Sequence, residues 1–163
     1  MMPLKSQTID ELKKEYEYKI DPLNFIDTSF VIFGLFWGHF MVKFKEYYRF
    51  NEKIKEIKII IDNKRDNISK NTLDSYEKTL KDISDGCEKI KKKAYLVIEE
   101  MSPIIGGICL DYKRNKDQPG AADIYQKIST ELIDKVVKTF IELEKILISY
   151  DEHIISIKKN LIN

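Results

Sequence analysis

The stretch LDSYEKTLKDISDGCEKIKKKAYLVIEEM, residues 73–101, decides the fold. Its apolar positions fall at Leu73, Tyr76, Leu80, Ile83, Cys87, Ile90, Ala94, Val97 and Met101, with steps that alternate between three and four residues. A helix turns once per 3.6 residues, so this spacing gathers every one of those side chains on a single face. Sustained over several heptads, it is the a/d pattern of helices packed along their length, as in a coiled coil or helical bundle.

The same rhythm recurs on either side. Downstream, Ile133, Val136, Phe140, Leu143, Leu147, Tyr150, Ile154, Ile157 and Leu161 are all apolar, and charges including Glu131, Lys138, Glu144 and Lys158 occupy the intervening faces expected to meet water. Upstream, Phe40, Tyr47, Ile54, Ile61 and Ile68 repeat every seven residues. The spacing predicts long helices over residues 23–64, 70–101 and 121–161, the first either continuous or broken near Gly34 and Gly38. Ser102-Pro103 is expected to end the second, leaving residues 104–110 as a helical turn or buried loop. A short helix over residues 9–20 precedes them, because Thr8 and Glu11 stand in the Ser/Thr-x-x-Glu arrangement that caps a helix N-terminus.

Composition agrees with one all-α domain built as an elongated antiparallel bundle. Only 6 Gly and 4 Pro occur in 163 residues, too few for the turns of a β-sandwich, while 43% apolar residues suffice for a core. Net charge is +1, and only Arg49, Arg65 and Arg114 supply guanidinium groups, which disfavours nucleic acid as a partner. Cys87 and Cys109 have no metal-ligand spacing and make no disulfide framework. The first 22 residues hold no apolar leader core, so a cytoplasmic location is expected, with membrane association as the alternative.

One segment departs from the charged background: TSFVIFGLFWGHFMV, residues 28–42, contains no Asp, Glu, Lys or Arg. A helix apolar on all sides needs cover on several faces, and the short first helix, residues 104–110 and Ile124, Ile128 and Leu132 are placed to supply it. Phe33, Gly34, Phe36, Trp37, Gly38, His39 and Phe40 form the candidate interaction or membrane patch. Its two glycines lie one turn apart, where another backbone can approach closely. A membrane span normally takes about 20 apolar residues, more than this stretch provides, and His39 sits inside it.

Catalysis has no comparable signal. Three residues before His39 and His153 stand Phe36 and Tyr150, so the Glu-x-x-His pairs of a di-iron bundle are absent, and Gly106-Gly107 lacks the strand and Lys-Ser/Thr of a phosphate loop. No catalytic residue, metal ligand or cofactor is therefore assigned. The expected function is protein–protein interaction or homo-oligomerisation. A membrane-inserting protein using residues 25–42 is the alternative, and an enzyme with a site at the crowded bundle end ranks third.

Overall fold

The structure is a computed structural model that describes residues 7–15, 20 and 25–163, leaving aside the side chains of residues 25, 26 and 46–48. It is all-α, with no strand among the described residues. The helices are α1 (Ile9–Glu15), α2 (Phe25–Tyr48), α3 (Phe50–Lys64), α4 (Lys70–Asn115) and α5 (Ala121–Ile162). A single 3-10 turn, Arg65–Asn67, leads from α3 towards α4.

Local sequence accounts for where these helices begin. Thr8 Oγ1 accepts the Glu11 N–H at 3.1 Å, and the Glu11 carboxylate accepts the Thr8 N–H at 3.2 Å, so both halves of the capping box are made. Of the rest of the expected first helix, residues 16–19 lie outside the described residues, as does the Asp21-Pro22 turn, and Ile20, buried, is not helical. At α4, Ser69 Oγ accepts the Thr72 N–H at 3.3 Å, an N-cap that starts the longest helix. Gly120, with φ +74°, turns the chain into α5, a conformation that a side chain would strain.

Two expected boundaries move. The break in the first long segment is at Arg49, a lone turn residue between α2 and α3, and not at the glycines, which sit within unbroken helix. Pro103 does not end α4, which runs 46 residues with the proline inside it. An internal proline costs about 3 kcal/mol, through one lost hydrogen bond and crowding of the carbonyl one turn back. Burial beyond it competes: Ile105 and Cys109, one turn apart, are both buried, and Ile105 alone contributes roughly 1.5–3 kcal/mol. A break at Pro103 would forfeit that face.

The chain forms two compact units, to which α2, α4 and α5 each contribute segments. The first comprises Met1–Val42 and Ala94–Glu144. Phe36, Phe40, Ile133 and Phe140 are its largest fully buried side chains from α2 and α5, and Ile9 and Leu12 of α1 are buried with them. The second comprises Lys43–Lys93 and Lys145–Asn163. There Phe50, Ile54, Ile57 and Ile61 of α3 are buried, as are Leu80, Ile83 and Ile90 of α4 and Leu147, Ile154, Ile157 and Leu161 of α5. Surface ion pairs Lys53–Asp151 and Lys158–Glu56, each at 2.9 Å, join α3 to α5. Exposed pairs of this kind contribute about 0–1 kcal/mol, so the apolar face carries the stability.

Glu144 corrects the expectation that it faces water. Its side chain is buried in the first unit, where Oε1 accepts the backbone N–H of Ile9 at 2.9 Å. A carboxylate at this point meets the free N–H groups and positive end of α1.

Candidate functional site

The uncharged segment lies on α2, and the other helices of the first unit cover it unequally. Phe33, Phe36 and Phe40 are buried. Phe40 stacks on Phe140 of α5, with ring centroids 5.0 Å apart and planes at 18°. Trp37 is half-buried between Tyr95 of α4, an edge contact at 5.9 Å, and Phe140 at 6.0 Å. His39 Nε2 donates to the carbonyl of Gln7 at 2.8 Å, which holds the residue before the capping box against α2. Farther along, Ser29 and Ser129 join hydroxyls at 3.1 Å in a buried contact between α2 and α5.

This cover differs in part from the expected one. Ile124 and Ile128 are exposed, and α5 uses Ser129 and Phe140 in their place. α4 reaches α2 through Tyr95 and through Gly106, where a Cβ would lie 4.0 Å from the Phe30 ring. Gln7, two residues before α1, reaches it through His39.

One face of α2 remains open. Val31 is 69% exposed and Val42 61%, and Phe30 and Leu35 are also exposed. Gly34 and Gly38 lie on the same open side, and a Cβ added to either would meet no atom of the described residues within 4 Å. Close backbone packing among the described residues therefore does not account for the glycine pair, contrary to the expectation from sequence. Each glycine weakens a helix by about 1 kcal/mol relative to alanine, and no neighbour among the described residues requires it. The seven patch residues thus divide: Phe33, Phe36 and Phe40 belong to the core, Trp37 and His39 to its edge, and Gly34 and Gly38 to the surface.

The chemistry of the remainder is quiet. Among the described residues, no group of three or more His, Cys, Asp or Glu side chains is placed to hold a metal ion. Burial, with the Glu88 carboxylate adding to it, pushes the Cys87 thiol up to about 11, and burial also raises Cys109. Both stay protonated near neutrality, which is unfavourable for a nucleophile. A cleft lined by Phe50, Ser84, Cys87, Glu88 and Leu147 in the second unit has room for little more than a water molecule.

No helix among the described residues is long and apolar enough to cross a membrane, so α2 does not supply a span. No protein-family model, curated protein or solved structure matches the chain.

Proposed function

We propose that the chain works as an antiparallel bundle of heptad-patterned helices that binds a protein partner or itself, and not by catalysis. The observation that carries this reading is the open face of α2. Val31, Leu35 and Val42 leave apolar surface in water beside two glycines that no neighbour among the described residues requires. Contiguous apolar surface of this kind marks interaction sites more often than chance exposure does, and glycine admits a partner close to the backbone.

A photo-crosslinking residue at Leu35, introduced in the cells that make the protein, tests the reading. The expected result is a covalent adduct with a protein, either another chain or a second copy, that disappears when Gly34 and Gly38 are both replaced by Gln. No adduct, or an adduct indifferent to those replacements, defeats it.

A further inference from the structure

We draw no further inference here: the strongest candidate, the open apolar face of α2 around Val31, Leu35 and Val42, belongs to the site already described, and nothing in the structure shows what covers it.

Discussion

The carboxylate of Glu144 accepts the backbone N–H of Ile9 at 2.9 Å, joining α5 to the first turn of α1 across 135 residues. Glu144 is buried, and so is Ile9. The contact matters beyond its own energy because α1 is seven residues long, too short to persist in water without tertiary support. Further polar ties to the first unit at this end are the hydrogen bond of His39 to Gln7, just before α1, and the Lys13–Asp134 pair at 3.7 Å.

Glu144→Ala is therefore expected to detach α1. Removing the acceptor leaves a buried N–H without a partner, at about 1–3 kcal/mol. Glu144→Gln, which keeps a carbonyl oxygen at the same place, should lose less. Urea unfolding gives the stability, and hydrogen exchange at Leu12 tells whether the loss is local. Equal stability of the alanine and glutamine variants would show that the Ile9 contact contributes nothing measurable.

Much of this fold can be read from the chain, and the failures have physical causes. The Thr8–Glu11 capping box and the buried positions Ile133, Phe140, Leu147, Ile154 and Leu161 follow from local spacing. Glu144 could not be told from its neighbours Glu142 and Lys145, because spacing does not reveal which turn of a helix meets another helix's N-terminus. Pro103 misleads for a related reason. Its local cost is fixed, while the burial of Ile105 and Cys109 that opposes it depends on elements distant in sequence. The α2 patch was located, but its division into buried phenylalanines and open glycines depends on where α1, α4 and α5 cover it.

Replacing glycine by alanine should have opposite effects at different sites. At Gly86 an added Cβ would lie 2.1 Å from the Tyr150 hydroxyl and 2.7 Å from its Cζ, so the tyrosine must move. Overpacking of this kind costs about 1–3 kcal/mol, more than the helix preference of about 1 kcal/mol that alanine adds. Gly86→Ala is expected to lower the melting temperature. Gly34→Ala and Gly38→Ala, measured on dilute protein, should raise it, since nothing stands in the way of their methyl groups. A stabilised Gly86→Ala would mean that Tyr150 relocates without loss.

Alkaline pH should destabilise the second unit. The Cys87 thiol ionises near 9.0 in an exposed setting and at about 11 in the fold, because burial disfavours the thiolate and Glu88 repels it. Burial likewise raises Tyr150, with Cys87 and Asp82 adding to the effect. A raised acid binds more protons in the folded than in the unfolded state across that interval, so its stabilisation is complete below pH 9.0 and is lost as pH rises through about 11. Urea midpoints for the wild type should fall over this range, and Cys87→Ala should flatten the fall. An identical slope in both proteins would remove Cys87 as its source.

Trp37 is the sole tryptophan, and its aromatic neighbours among the described residues, Tyr95 and Phe140, both belong to the first unit. Its fluorescence therefore reports on that unit, while far-ultraviolet circular dichroism reports on all the helices. Phe140 is fully buried and stacked on Phe40, so Phe140→Ala removes a core ring at about 3–5 kcal/mol and takes away one wall of the tryptophan site. The expected result is a red-shifted Trp37 emission and an earlier fluorescence transition in urea. Ile57→Ala, in the core of the second unit, should cost about 2–5 kcal/mol and leave the native emission unchanged. If fluorescence and circular dichroism still coincide in both variants, the two units unfold as one cooperative body. If Phe140→Ala leaves the emission where it was, Trp37 is not packed against Phe140 and the cover assigned to α2 from α5 is wrong.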